Sequence, residues 1–226
     1  MVVFERQPKS HDFGYAFLLG VVLLAGISIQ AVAGDQPTRP FPYLPAKAFH
    51  IPPETTTEES GYFSLCEGRN GKIYIGTAAY GRNAYLVEFD PATEKMRIAL
   101  DTHKLVGLPL TPTGYAAQAK IHTRNFVGRS GKIYVGSKQG YPTKEERAAL
   151  KRGEKIPVYR GGYVMVYDPA TDKAENLDMP MPLDERQIAA GKKEGQGVID
   201  ATADESRGLI YVITCEEHGG SRPTAR

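Results

Sequence analysis

Four polar side chains able to bind a ligand recur at every second position between residues 118 and 124. They are Gln118, Lys120, His122 and Arg124. If this segment is a strand, alternation places all four on one face. Amide, ammonium, imidazole and guanidinium groups together form a cationic patch suited to a carboxylate or a phosphate. The spacing therefore predicts a site for a small anionic ligand, with a solvated or salt-bridged strand face as the alternative.

His122 is the strongest candidate for a general base, because free histidine titrates near pH 6.5. The sequence identifies no partner for it. The matching positions sixty residues earlier do not repeat the pattern; they are Glu58, Ser60, Tyr62 and Ser64. Catalytic residues are therefore not assigned.

Two other groups of metal-binding residue types have unsuitable positions. His218 follows Glu216 and Glu217 in a terminal segment without a strand pattern. Cys66 and Cys215 are too far apart for CxxC spacing. No metal site is predicted, and the two cysteines are expected to be buried thiols, with a disulfide as the alternative.

Charge and composition limit the class of partner. The chain has 226 residues, with 28 Lys and Arg against 26 Asp and Glu, for a net charge of +2. Because nucleic acid binding usually needs a strong cationic field, nucleic acid is not a predicted partner. The 24 Gly, 16 Pro and 13 Tyr favour many short strands separated by turns.

The candidate site belongs to an internal repeat. The phrase GKIYIG at 71–76 returns as GKIYVG at 131–136 and more loosely as GLIYVI at 208–213. The phrase YLVEFDPATEK at 85–95 matches YVMVYDPATDK at 163–173. Turn residues separate alternating apolar runs in each unit, which predicts four strands per unit.

Repeated four-stranded units predict an all-β fold of β-propeller type. Blade one is expected at about 58–100, blade two at about 116–177 and a partial blade three at about 197–215, within a partial propeller over 58–226. Residues 118–124 then form the innermost strand of blade two, facing the central channel. Since propellers typically have 4–8 blades, about two and a half blades suggest a fragment of a longer protein. The alternative is that several copies complete a ring.

Short helical inserts interrupt the strand pattern. Thr143 and Glu146 form a capping box, good helix formers follow to Lys151, and Gly153 supplies a stop. A second helical turn is expected over 184–190. Both inserts are expected to be surface decoration rather than catalytic lids.

The G-x-I-Y-x-G and Y-x-x-x-[FY]-D-P-A-T phrases resemble those of the β-propeller superfamily of WD-repeat, YVTN and quinoprotein-like proteins, over roughly residues 60–216. The resemblance implies a propeller fold, and such propellers include ligand-binding scaffolds, lactonases, lyases and quinone-dependent dehydrogenases. The chain has no Trp, so it lacks the tryptophan-docking motif and the WD dipeptide. The predicted function is a scaffold that binds a ligand or a protein partner, with a lactonase- or lyase-like enzyme as the alternative; the cofactor is unknown.

The N-terminus predicts export. Arg6 and Lys9 precede a 13-residue apolar run at 17–29, and Ala31 and Ala33 form a small-x-small cleavage pattern before Gly34. Residues 1–33 are expected to be a signal peptide, followed by a lead-in over 34–57. The mature protein is then periplasmic or secreted, with no membrane insertion after cleavage. An uncleaved anchor over 15–33 is the alternative.

Overall fold

The computed structural model describes residues 2–4, 46–56, 64–109, 114–216 and 224–225. The predicted cleavage site lies outside them. The chain divides into two compact units, residues 1–50 and 51–226. In the first unit, β1 (Val2–Phe4) pairs antiparallel with β2 (Ala46–Ala48). Within the described residues, no helix has the length and apolar character to span a membrane.

The second unit contains three antiparallel sheets. The first joins β3 (Leu65–Glu67), β4 (Ile73–Gly76), β5 (Tyr85–Asp90) and β6 (Lys95–Asp101) in chain order. The second contains β7 (Lys120–Ile121), β8 (Phe126–Val127), β9 (Ile133–Lys138), β10 (Val164–Asp168) and β11 (Lys173–Asn176). The third contains β12 (Gly197–Asp204), β13 (Leu209–Cys215) and β14 (Thr224–Ala225). The described structure is thus mostly β, and none of its sheets closes into a barrel.

Among the described residues, three short α-helices and two 3-10 turns connect the strands. They are α1 (Thr102–Val106), α2 (Lys144–Lys151), α3 (Glu185–Ala189), Pro53–Thr55 and Gly114–Ala116. Both predicted helical inserts are confirmed. In α2, the Thr143 hydroxyl accepts from the Glu146 N–H at 3.2 Å and the Glu146 carboxylate accepts from the Thr143 N–H at 2.9 Å. Asp184 and Gln187 form the same capping box at the start of α3.

The repeated phrases form the turns that the sequence predicts. Asp90 Oδ1 accepts from the Ala92 N–H at 2.9 Å, and Asp168 Oδ1 accepts from the Ala170 N–H at 2.9 Å. Gly131 in a hairpin turn has a φ of 91°, a conformation that favours glycine. Hydrogen bonds within these turns therefore fix the ends of strands in the first and second sheets.

The predicted continuous strand over 118–124 is wrong. The chain forms two short strands instead, β7 and β8, and both pair with β9. Asn125 between them has a φ of 59°, which no strand residue adopts. In the first sheet, β3 begins at Leu65, and the predicted strand positions at 58, 60 and 62 lie outside the described residues.

The sheets stack face to face, and glycines set their close approach. A Cβ on Gly76 of the first sheet would lie 2.6 Å from Ile121 Cγ2 of the second. A Cβ on Gly136 of the second sheet would collide with Val198 of the third. The buried core between the first two sheets includes Tyr74. The same packing relation thus occurs twice along the chain.

Candidate ligand-binding site

The four side chains predicted to share one face have different surroundings. Gln118 and Lys120 are buried, at 3% and 2% exposed. His122 is half-buried, and its backbone N–H donates to the Gly136 carbonyl at 2.9 Å. The Arg124 side chain is 79% exposed and lies 3.3 Å from Asp200 Oδ2. Because the strand ends at residue 121, Arg124 lies apart from the two buried residues.

Gln118 is a structural crosslink. Its Oε1 accepts from the Ser137 hydroxyl at 2.7 Å and from the Tyr159 hydroxyl at 3.3 Å. Its Nε2 donates to the Gly161 carbonyl at 2.9 Å. Buried amides need such partners. Gln118 therefore positions the segment that leads into β7, and its predicted contact with a ligand stays a prediction.

The ammonium group of Lys120 lies against two neighbouring tyrosine rings. Its Nζ is 5.5 Å from the ring centroid of Tyr80 and 5.5 Å from that of Tyr141. The two rings are 5.2 Å apart in an edge-to-face arrangement, with an interplanar angle of 82°. Aromatic faces attract a cation, and the attraction increases when the cation is removed from water. The tyrosines therefore hold an ammonium group at a defined position inside the protein.

Lys138 on β9 is the residue directly opposite Lys120 on β7. Directly opposed residues project from the same face of a sheet, and Lys138 is 4% exposed. Its Nζ donates to Cys215 Sγ at 3.2 Å. The two ammonium groups have different partners, because that of Lys120 lies against the tyrosine rings and that of Lys138 lies against Cys215. Lys138 was not predicted from the sequence, since it lies two residues beyond the repeated GKIYVG phrase, at the end of β9.

An open cleft of about 450 Å³ adjoins the tyrosine pair. Its lining consists of Tyr80, Tyr141, Pro142, Thr143, Lys144 and Arg147. Helix α2 supplies Lys144 and Arg147, so the cleft wall carries two more cations. The Glu146 carboxylate accepts from the Tyr115 N–H at 2.9 Å and 3.0 Å, which ties this helix to the 3-10 turn before β7. The insert expected to be decoration therefore forms one wall of the candidate site.

His103, to which the sequence analysis assigned no role, positions the segment before β7. It is fully buried; its Nδ1 donates to the Pro109 carbonyl at 2.6 Å and its Nε2 accepts from the Gln118 N–H at 3.0 Å. These partners require the neutral tautomer with the proton on Nδ1. Burial lowers the pKa of His103 and outweighs the Pro109 hydrogen bond, which raises it.

The described residues supply little metal or thiol chemistry. No three His, Cys, Asp or Glu side chains in the described ranges are grouped so as to hold a metal ion. Glu216 pairs with Lys192 at 2.7 Å, while His218 and Glu217 lie outside the described residues. Cys66 and Cys215 are unpaired and half-buried, and burial raises the pKa of the Cys66 thiol to about 12. A protonated thiol is a weak nucleophile.

Comparison with protein-family models, curated proteins and solved structures found no match for this chain.

Proposed function

We propose that the chain is an exported β-propeller protein that binds a small anionic ligand in the cleft beside Lys120. The observation that carries the proposal is the position of Lys120, which is buried against the rings of Tyr80 and Tyr141, two residues that line the cleft. Lys144 and Arg147 add positive charge at the cleft wall. A concave site with a few fixed polar groups is typical of small-molecule binding.

Two features support the propeller part of the proposal. Each of the first two sheets has its antiparallel strands in chain order. In the second sheet the first strand is divided into β7 and β8, which both pair with β9. The stacking contact between neighbouring sheets also recurs, at Gly76 with Ile121 and at Gly136 with Val198. Radial repetition of such stacked sheets is the propeller arrangement. The enzyme alternative has His122 as its single catalytic candidate, so ligand binding is the preferred function.

Lys120→Met tests the binding site. Methionine keeps an unbranched apolar side chain beside the two tyrosine rings and removes the positive charge. Since hydrogen bonds to charged groups contribute about 1.5–3 kcal/mol, we expect anion affinity to fall by roughly 10- to 150-fold. Titration calorimetry with inorganic phosphate and with citrate measures the effect, and thermal melting checks that the variant is folded.

Arg124→Ala is the matched control. Arg124 carries the same charge as Lys120 but is exposed and paired with Asp200, so its removal is expected to change anion affinity by less than about twofold. Equal affinity in Lys120→Met and the unmodified protein would refute the binding site. Loss of affinity in Arg124→Ala alone would restore the site predicted from the sequence.

Export predicts a processed N-terminus. If residues 1–33 are removed as a signal peptide, the mature chain begins at or near Gly34. Intact mass measurement of the exported protein is expected to show this start. Material that retains Met1 would instead support the uncleaved anchor.

A further inference from the structure

The side chain of Lys138 reaches from the second sheet to a cysteine of the third. Its Nζ donates to Cys215 Sγ at 3.2 Å. Lys138 is 4% exposed, and Cys215 is half-buried. Lys138 ends β9 and Cys215 ends β13, so the contact connects two neighbouring sheets. The fold therefore holds an amine and a thiol in contact, and both groups become nucleophiles when they lose a proton.

The repeat places these two residues at the same position of successive units. The segment GKIYVGSK at 131–138 aligns with GLIYVITC at 208–215 and with GKIYIGTA at 71–78. The first sheet thus has Ala78 where the second has Lys138 and the third has Cys215. Because the methyl group of alanine is unreactive, the amine and thiol pair is particular to the contact between the second and third sheets.

A glycine of the third sheet makes room for the lysine side chain. Gly197 on β12 lies directly opposite Cys215 on β13. A Cβ on Gly197 would collide with Cγ of Lys138, so the lysine crosses the backbone of β12 at a position that has no side chain. Any other residue at 197 would displace the lysine. The register of the third sheet and the glycine at 197 together direct the ammonium group to the sulfur.

The two cysteines of the chain have different surroundings. Cys66 packs against the apolar core, and burial raises the pKa of its thiol to about 12. Cys215 instead has an ammonium group at its sulfur. Peroxides react with the thiolate rather than the thiol, and a neighbouring lysine stabilises a thiolate. We therefore expect Cys215 to be the reactive cysteine, with Cys66 as an internal reference.

We propose that Lys138 and Cys215 form a modification site, at which hydrogen peroxide joins Lys138 Nζ to Cys215 Sγ through a sulfenamide bond. The bond links β9 to β13 and so fastens the second sheet to the third. Oxidised protein is therefore expected to unfold at a higher urea concentration than reduced protein, as a crosslink between distant parts of a chain generally causes. This modification does not depend on the anion site.

The reaction balances with a single peroxide. The thiolate of Cys215 attacks the peroxide, whose O–O bond breaks, and a sulfenic acid and a hydroxide ion form. The hydroxide takes a proton from the ammonium group of Lys138 and becomes water. The neutral amine then attacks the sulfenic sulfur, so that the S–N bond forms, the S–O bond breaks and a second water leaves. The sulfur is oxidised by two electrons, and the peroxide is reduced by two.

Mass spectrometry of the full chain after mild treatment with hydrogen peroxide tests the bond. We expect the intact mass to fall by two hydrogen atoms, and trypsin to stop cleaving after Lys138. The peptides that carry Lys138 and Cys215 are expected to be recovered as one, and dithiothreitol is expected to separate them. Cys66→Ser is the matched control and is expected to form the same crosslink. An oxygen-bearing product without a crosslink, or a disulfide between Cys66 and Cys215, would overturn the proposal.

Two substitutions of Lys138 separate the effect of its charge from bond formation. Lys138→Arg keeps the positive charge, but a guanidinium does not lose its proton in proteins, so this variant is expected to form no crosslink. Its Cys215 is still expected to react rapidly with iodoacetamide. Lys138→Met removes the charge and is expected to slow that alkylation by at least about tenfold. Thermal melting checks that both variants are folded. Equal alkylation rates of Cys215 in the wild type and Lys138→Met would overturn the proposal.

Discussion

Arg97→Met is expected to lower the free energy of unfolding by about 3 kcal/mol, the lower end of the range for breaking a buried ion pair. Arg97 Nε lies 2.9 Å from one oxygen of Glu88, and its Nη2 lies 3.1 Å from the other. The same guanidinium donates to Asp172 at 2.8 Å and to the Tyr167 hydroxyl at 2.7 Å. Two of these four hydrogen bonds stay within the first sheet, at Glu88, and the other two join Arg97 to Tyr167 and Asp172 of the second sheet.

The expected loss comes mainly from the carboxylate left behind. Glu88 is 3% exposed, and without Arg97 it keeps Lys72 at 2.7 Å and the Tyr74 hydroxyl at 3.0 Å. The Arg97 side chain itself is 43% exposed, so water screens part of its attraction and the value lies at the low end. A buried charge that loses one of its partners destabilises the folded state.

The same network predicts how stability changes in acid. Burial alone would raise the pKa of Glu88, but hydrogen bonds from Arg97, Lys72 and Tyr74 outweigh it and lower the pKa below its ordinary value. A carboxyl with a lowered folded-state pKa stabilises the protein fully above its unfolded pKa of about 4.3. That contribution is lost as the pH falls through the folded-state pKa. Glu88→Gln is expected to show less of this acid-dependent loss.

Urea denaturation at pH 7 measures the Arg97→Met effect. Arg152→Met is the control, because Arg152 and its partner Glu154 are both exposed, and its effect on the free energy of unfolding is expected to be much smaller than that of Arg97→Met. In the double variant Arg97→Met, Glu88→Leu, the loss is expected to be smaller than the sum of the two single losses, because no carboxylate remains buried. Additive losses would show that Arg97 and Glu88 do not stabilise each other.

Local sequence chemistry predicted much of this fold. The turns at Asp90 and Asp168 and the capping box at Thr143 depend on residues within four positions of one another, so their geometry can be derived from spacing. Repetition of these short signals was enough to place the three outer strands of each of the first two sheets. The prediction of one inner strand over 118–124 was wrong because the strand is interrupted and Asn125 adopts a left-handed conformation, which neighbouring residue types do not specify.

The candidate site depended on contacts that the sequence could not supply. Lys120 was predicted from alternation, but its tyrosine partners come from positions 80 and 141, on separate connections between strands. Lys138 joins them through the register of β7 with β9. Arg124 looked equivalent to Lys120 only while the strand was assumed to continue. Long-range register and loop placement decide which cations are buried, and neither follows from local periodicity.

Substitution of His103 by leucine is expected to destabilise the protein by about 1–3 kcal/mol, since it leaves the buried Gln118 N–H without a partner. The imidazole bridges this N–H, at 3.0 Å, to the carbonyl of Pro109, an exposed residue, at 2.6 Å. His103→Gln retains an amide that can donate and accept, so its loss is expected to be smaller. Urea denaturation of the two variants at pH 7.5 measures both effects.

Protonation of His103 is expected to act in the same direction as its removal. In the cationic ring, Nε2 carries a proton and would face the Gln118 N–H, so that two donors oppose each other. Burial lowers the pKa of His103, which also disfavours the cation in the folded protein. The unfolded chain takes up the proton near pH 6.5, so stability is full above that value and falls by up to about 1.4 kcal/mol per pH unit below it, down to the folded-state pKa.

Gln118 also bonds the hydroxyl groups of Ser137 and Tyr159, and it lies two residues before Lys120. Loss of the hydrogen bond to its backbone is therefore expected to affect the segment that carries Lys120. We expect the wild type to have the larger free energy of unfolding at pH 7.5. As the pH falls to 5, the wild type is expected to lose stability faster than His103→Gln, so the difference between them decreases. Parallel curves would show that the imidazole titrates alike in the folded and unfolded chains, and would contradict its role as a neutral bridge behind the anion site.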